Sequence, residues 1–454
     1  MVFSSLVFLY CYLPAVLLVY YLAPRRLRNL TLLLFSLLFY GWGEPKWIVI
    51  MLFSSVLDFT CSNVIERHRS NKRVCKTALL TSVCLNLGVL FFFKYADFLL
   101  DSIPFLSGVP RLNLTLPIGI SFYTFQTMSC TIDVYRRDAK AQRNLIDFST
   151  YVTLFPQLIA GPIVRYSDIA EQLTGRRETL RQIASGITKF CAGLCKKVLL
   201  ANACGALWEQ VQGRDDAAAM TALLGILCYT MQIYFDFSGY SDMAIGLGRM
   251  FGFEFPVNFD HPYLSQSVSE FWRRWHITLG AWFREYVYIP LGGSREGKAK
   301  LVRNIAIVWL LTGLWHGASW NFVLWGVFYG ILLLLEKCLY GKYLEKLPRV
   351  FRHIYVMAAV IFGWTLFSFT DMAELGGFLR ALFGANGFTE AWATYELRNA
   401  ALLLTAGVLC CTELPEKLLQ KAEWTRPVLC GAALVICTAN LVNTSYNPFL
   451  YFRF

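Results

Sequence analysis

Charge is scarce in this sequence. Of its 454 residues, 16% are Asp, Glu, Lys or Arg, against about 25% in an ordinary soluble domain. Histidine is rarer still, with five copies. The fourteen cysteines show no C-x-x-C pair and no metal-type Cys/His spacing; FCAGLC (Cys191, Cys195) and Cys410–Cys411 are the only close ones. That lack argues against a metal site. Most of these thiols read as small buried hydrophobes, and a lipidated cysteine at the membrane surface stays open. No long soluble stretch and no internal repeat is visible, which argues against a membrane anchor carrying a cargo and against a transporter built from two halves.

Apolar residues make up 56% of the chain, with a mean hydropathy of +0.47, and they are clustered. The opening run SSLVFLYCYLPAVLLVYYLA reads as a first span rather than a cleaved leader. Nothing basic precedes it, it is too long for the apolar core of a leader, and no small-residue cleavage site follows. Spans of the length a bilayer requires are expected near 4–22, 29–43, 47–65, 78–98, 304–319, 320–336, 354–370, 399–413 and 428–443, while residues 183–210 and 218–250 are helical candidates, the second unusually polar for a membrane helix. LPIGISFYTFQTMSCTIDVYRR is too polar to face lipid and reads as a helix inside protein. FPQLIAGPIVRY, broken by prolines and a glycine, reads as a buried or re-entrant piece. Residues 371–398 read as a polar connection. The expectation is one multi-pass all-α membrane domain over 1–454.

The net charge of +12 does not point to nucleic acid, because the cations alternate between loops. Arg25, Arg26 and Arg28 follow the first span. Arg67, Arg69, Lys72, Arg73 and Lys76 follow the third, and Arg136, Arg137, Lys140 and Arg143 form another group. The loops between, GWGEPKW and ADFLLDSIPFLSGVPRLNLTLP, hold only Lys46 and Arg111. By the positive-inside rule the basic loops are cytoplasmic and the N-terminus lies outside.

Against this background the histidine of TGLWHGASW stands out. Thirteen residues separate Arg303 from His316, which on a helix places the imidazole roughly 20 Å into a hydrocarbon core about 30 Å thick. Ionisable groups at that depth are costly and tend to be functional. Gly313 and Gly317 would let a ligand or another helix approach closely. A second histidine, His276, lies in SVSEFWRRWHITLGAWFREYVYIPLGG. There Trp272, Trp275, His276, Leu279, Trp282, Phe283 and Tyr286 recur at helical spacing, as in an amphipathic helix at the membrane interface. Taken alone, His276 reads as a hydrogen-bonded histidine beneath such a helix, and PLGGS reads as a turn rather than a phosphate nest. Asp236 and Asp242, in MQIYFDFSGYSDMAIGLG, could orient a neighbour or take part in chemistry.

Together these motifs, with the opening MVFSS, LFYGWGEPKW and the terminal NPFLYFRF, resemble the membrane-bound O-acyltransferase family, in the branch that serves alginate O-acetylation. The resemblance runs from end to end. It implies a bundle of about eleven transmembrane helices with additional horizontal or re-entrant helices around a central tunnel. It places the family's intramembrane histidine at His316 and its second histidine at His276. It implies acetyl-CoA as a cytoplasmic acyl donor, with no bound cofactor or metal. The acetyl group would pass to an extracytoplasmic cell-envelope polysaccharide through a separate extracytoplasmic acetyltransferase, in a bacterial inner membrane. A buried neutral imidazole suits removal of a hydroxyl proton. His316 is thus the expected general base and His276 the residue expected to orient donor or acceptor or to steady developing charge. Asp236, Trp315 and Trp275 are the expected substrate-binding or supporting residues. Transfer of D-alanine to teichoic acid from a carrier protein is the rival reading. A channel or transporter using His316 and the two aspartates is the remote one.

Overall fold

The computed structural model describes residues 1–450 apart from Ser107, Asp215, Ala422, Ser445 and Phe449. Among the described residues every regular element is helical. Seven helices among the described residues are long and apolar enough to cross a membrane: Ile48–Arg67, Lys72–Ser102, Leu180–Gln212, Ala219–Met250, Trp320–Leu344, Arg349–Ser368 and Glu423–Asn443. Two apolar helices, Phe8–Leu22 and Ala401–Cys410, are shorter. Others that the sequence marks as spans, Arg28–Gly43 and Lys298–His316, are also helical. Residues 371–398, expected as a connection, instead contain the helix Met372–Leu382 and most of Ala391–Asn399. Of the terminal NPFLYFRF, Asn447, Pro448 and Leu450 are described; the rest lies outside the described residues.

The chain divides into two compact units, Met1–Phe190 with Tyr240–Pro256, and Cys191–Gly239 with Val257–Phe454. In the first, fourteen of the seventeen residues of Ile120–Arg136 are buried, which fits a polar helix enclosed by protein. Gly119, at φ 76°, starts that helix where a side chain would meet the Leu158 carbonyl at 2.7 Å. FPQLIAGPIVRY is buried throughout except at Arg165: one helical turn, Phe155–Leu158, then irregular backbone. Its entry is tied down by the Phe155 N–H, which donates to Ser36 Oγ at 3.1 Å.

The second unit carries both histidines. Helices Lys298–His316 and Trp320–Leu344 form a hairpin whose turn follows His316 directly. Close packing at the crossing depends on two small residues. A methyl on Gly313 would lie 2.4 Å from the Phe322 carbonyl oxygen, and one on Gly326 2.5 Å from the Trp309 carbonyl oxygen. What approaches His316's backbone neighbours is therefore another helix, the association mode small residues permit in lipid.

Candidate functional site

The expected amphipathic helix around His276 is interrupted. Val268–Arg274 and Ile277–Phe283 are separate helices, and His276 sits between them in the left-handed region at φ 44°, ψ 52°. For a non-glycine residue such a conformation costs on the order of 1–3 kcal/mol and persists only where its surroundings impose it. The imposing element is the segment around Asn258. Its carbonyl accepts the Ile277 N–H at 3.0 Å, and the Asp260 N–H donates to the Arg274 carbonyl at 2.9 Å. Backbone groups orphaned by the helix break are thereby paired. The later part of the same stretch behaves as read: Gly292 and Gly293 take positive φ, 100° and 58°, in a turn.

Asn258 also fixes the protonation of the imidazole. Its Oδ1 accepts the Thr278 N–H at 3.3 Å and the Thr278 hydroxyl at 2.9 Å, and lies 3.0 Å from His276 Nδ1. A backbone N–H can only donate, so that Asn258 atom is the oxygen and His276 Nδ1 carries the proton. Nε2 therefore holds a lone pair. It is buried and has no hydrogen-bond partner among the described residues. Burial pushes the His276 pKa down to about 3, so the ring stays neutral. The Phe237 ring meets it edge-on at 4.7 Å and the Trp315 indole at 6.0 Å.

His276 lines a cavity of about 500 Å³, within the range of ligand sites. Trp275, Trp272 and Thr312 share its wall. The Trp272 indole N–H is buried without an acceptor among the described residues. Three cationic side chains, Arg273, Arg284 and Lys337, complete its polar lining together with Ser269, Tyr288 and Thr312.

His316 ends its helix, 8% exposed. Its ring lies 5.0 Å from Trp315, 5.0 Å from Trp325 and 5.3 Å from Phe367. The two histidines, forty residues apart in sequence, thus both touch the Trp315 indole. His316 and Trp315 are not part of the cavity wall, although Thr312, one turn earlier on the same helix, is. Trp275 stacks on Phe271, meets Phe259 edge-on and lies tilted against Trp364. Asp236 is engaged elsewhere: Oδ1 is 2.7 Å from Lys197 Nζ and Oδ2 accepts the Leu450 N–H at 2.9 Å. Both members of that ion pair are buried, and the lysine also bonds to Asn202 and to the Pro448 carbonyl. Asp242 pairs with Lys189 at 2.9 Å. Among the described residues no group of three or more His, Cys, Asp or Glu is arranged to hold a metal.

Two supporting residues escape a reading of motifs. Asn258 sits in an unremarkable loop, and nothing local signals its role. Glu336 is the lone acid in GILLLLEKCLYGK, and that isolation is a usable signal. Its buried carboxylate accepts the Val268 N–H at 2.6 Å, the Ser269 N–H at 2.8 Å and the Ser269 hydroxyl at 2.6 Å. The Tyr355 hydroxyl adds a fourth bond at 3.2 Å. It therefore anchors the N-terminus of the helix that leads into Trp275 and His276, the end that attracts negative charge.

Comparison with known proteins identifies the family. The profile of the membrane-bound O-acyltransferase family matches residues 37–375. The chain belongs to that family. It is 42% identical over 408 residues to the "probable alginate O-acetylase AlgI" of Azotobacter vinelandii, covering 88% of this chain and 81% of that protein. It is 32% identical to a peptidoglycan O-acetyltransferase of Helicobacter pylori, covering 85% of this chain and 80% of that one. A teichoic acid D-alanyltransferase of Streptococcus thermophilus is 29% identical over 48% of this chain and 56% of its own length. As a membrane-bound O-acyltransferase this is a multi-pass membrane enzyme, and its relatives are named for work on cell-envelope polymers.

Proposed function

We propose that this O-acyltransferase moves an acetyl group from cytoplasmic acetyl-CoA across a bacterial inner membrane, for O-acetylation of an extracytoplasmic envelope polysaccharide. A separate extracytoplasmic acetyltransferase finishes the transfer. The observation that carries the reading is the pair of buried histidines against one indole, one of them with an open lone pair in a ligand-sized cavity. About eleven spans, a central tunnel that meets at His316 and an external N-terminus belong to the same proposal.

In the transfer step an acceptor hydroxyl attacks the thioester carbonyl. The C–O bond forms, the C–S bond breaks, and the hydroxyl proton passes to His316 and then to the departing thiolate. A positioned base of this kind contributes roughly 10²–10⁴-fold. His276 is ill-suited to that task, since a base works best with a pKa near the ambient pH. Its fixed Nε2 lone pair suits it instead to accept a hydrogen bond and orient a substrate. Trp315 and Trp275 hold the rings in place. Asp236 acts at a remove, through the helix that carries Phe237. Acetyl is preferred over D-alanyl because the acetylating relatives match over most of the chain and the D-alanylating one over about half.

The test is complementation of a deletion strain, with mass spectrometry of groups released from the envelope polymer. His316→Ala, inserted at the normal level, should lower O-acetylation at least a hundredfold. Full acetylation by that variant would refute the assignment, and selective loss of D-alanyl groups would establish the rival.

A further inference from the structure

Two thiol pairs face each other between the helix Arg426–Asn443 and the helical run Leu180–Gln212. The Cys437 thiol donates to Cys195 Sγ at 3.9 Å, and the Cys191 and Cys430 thiols hydrogen-bond to each other. All four cysteines are free. A thiol serving only as a small hydrophobe has no need of a second sulfur beside it. The sulfurs of the first pair differ in access, Cys437 being fully buried and Cys195 half-buried. Oxidation-sensitive pairs have that asymmetry, an accessible sulfur beside one that resolves it. Cys437 is also the one buried residue of Arg426–Asn443 among the described residues. The helix therefore packs lightly, and its thiol can close from 3.9 Å to the roughly 2.0 Å of an S–S bond. Beyond it the chain is held by the same helical run, through Lys197 on the Pro448 carbonyl and Asn202 on Asn447. Eleven residues separate Arg426 from Cys437, about 16 Å of helix, which places the pair inside the hydrocarbon. A neutral hydroperoxide enters that region and a charged oxidant does not.

We propose that Cys195 and Cys437 are a site of reversible oxidation by hydroperoxides, closing a disulfide that locks the helix Arg426–Asn443 in place. The Cys195 sulfur attacks the O–O bond and takes one oxygen as a sulfenic acid, releasing water from hydrogen peroxide or an alcohol from a lipid hydroperoxide. The Cys437 sulfur then attacks the sulfenic acid. Its S–H bond and the S–O bond break, the S–S bond forms, and water leaves. The two thiols give up two electrons in all, and these reduce the hydroperoxide. Thiol exchange with a reductant reverses the step. Nothing in it depends on the acyl-transfer reaction.

The test uses the purified full chain in nanodiscs of saturated phosphatidylcholine. It is treated with hydrogen peroxide, cumene hydroperoxide or glutathione disulfide, then denatured and alkylated with N-ethylmaleimide. Both hydroperoxides should lower labelling of Cys195 and Cys437 about tenfold, and a phosphine reductant should restore it. Peptide mapping should find the two residues joined. Faster closure by cumene hydroperoxide points to lipid as the source of the oxidant, and faster closure by hydrogen peroxide to the water phase. Hydrogen exchange across 426–443 should slow about tenfold on oxidation. In Cys437→Ala, dimedone should trap Cys195 as a sulfenic acid, and the wild-type peptide map decides the pairing even if that variant does not fold. Unchanged labelling, or a cross-link from Cys195 to any other thiol, overturns the site. Unchanged exchange in the cross-linked protein overturns the lock, and closure by glutathione disulfide overturns the choice of a neutral oxidant.

Discussion

His276 combines a strained backbone with a single fixed tautomer, and one residue, Asn258, enforces both. With the folded pKa near 3 against an ordinary 6.5, the unfolded chain binds a proton below pH 6.5 that the folded chain refuses. Stability from this group is therefore complete above pH 6.5 and is lost as the pH falls towards 3, by roughly 5 kcal/mol at most. Thermal unfolding between pH 7.5 and 4.5 should show the wild type losing stability faster than His276→Gln. Parallel slopes would contradict the buried neutral ring. His316 was legible in the sequence because an imidazole in an apolar run advertises its own cost. The tautomer of His276 was not, since it depends on an oxygen eighteen residues away, in a loop with no motif.

At the scale of elements, helical periodicity correctly marked the apolar face from Trp272 to Tyr286 but missed the break at His276. Periodicity records which face is buried; it does not register a neighbouring segment that satisfies a broken helix's backbone groups. The anchor of the first half-helix, Glu336, makes a separate prediction. Glu336→Ala removes the acceptor of two N–H groups and two hydroxyls, worth about 1–3 kcal/mol for each buried group left unpaired. Acyl transfer should fall about tenfold or more while insertion persists. Glu336→Gln, which keeps a carbonyl oxygen, should retain more activity than Ala. If both variants behave like wild type, the anchor does not position His276. The hairpin at His316 is equally sensitive. Gly313→Ala would set a methyl 2.4 Å from a backbone oxygen that cannot rotate away, and overpacking of this kind costs about 1–3 kcal/mol. The variant's Tm should drop, and a Tm equal to wild type would mean the helices separate freely.

For the molecule as a whole, hydropathy and charge give different counts of spans, and the helix Ile120–Arg136 shows why. It is too polar to register as apolar, yet fourteen of its residues are buried in protein, so its own hydropathy says little about whether it crosses. Lipid contact, not depth, is what hydropathy measures. The flanking charges are more informative. The loop before it holds one cation, Arg111, between Ile103 and Gly119, whereas Arg136, Arg137, Lys140 and Arg143 crowd its far end. If basic loops face the cytoplasm, this helix spans the membrane from outside to inside, although apolarity alone does not mark it as a span. Truncated fusions to green fluorescent protein, which fluoresces only in the cytoplasm, and to alkaline phosphatase, active only outside, decide the matter. A fusion after Val109 should give phosphatase activity and one after Lys140 should fluoresce. The same signal at both points would mean that the helix enters and leaves on one side, and that the basic cluster is placed by packing rather than by membrane orientation.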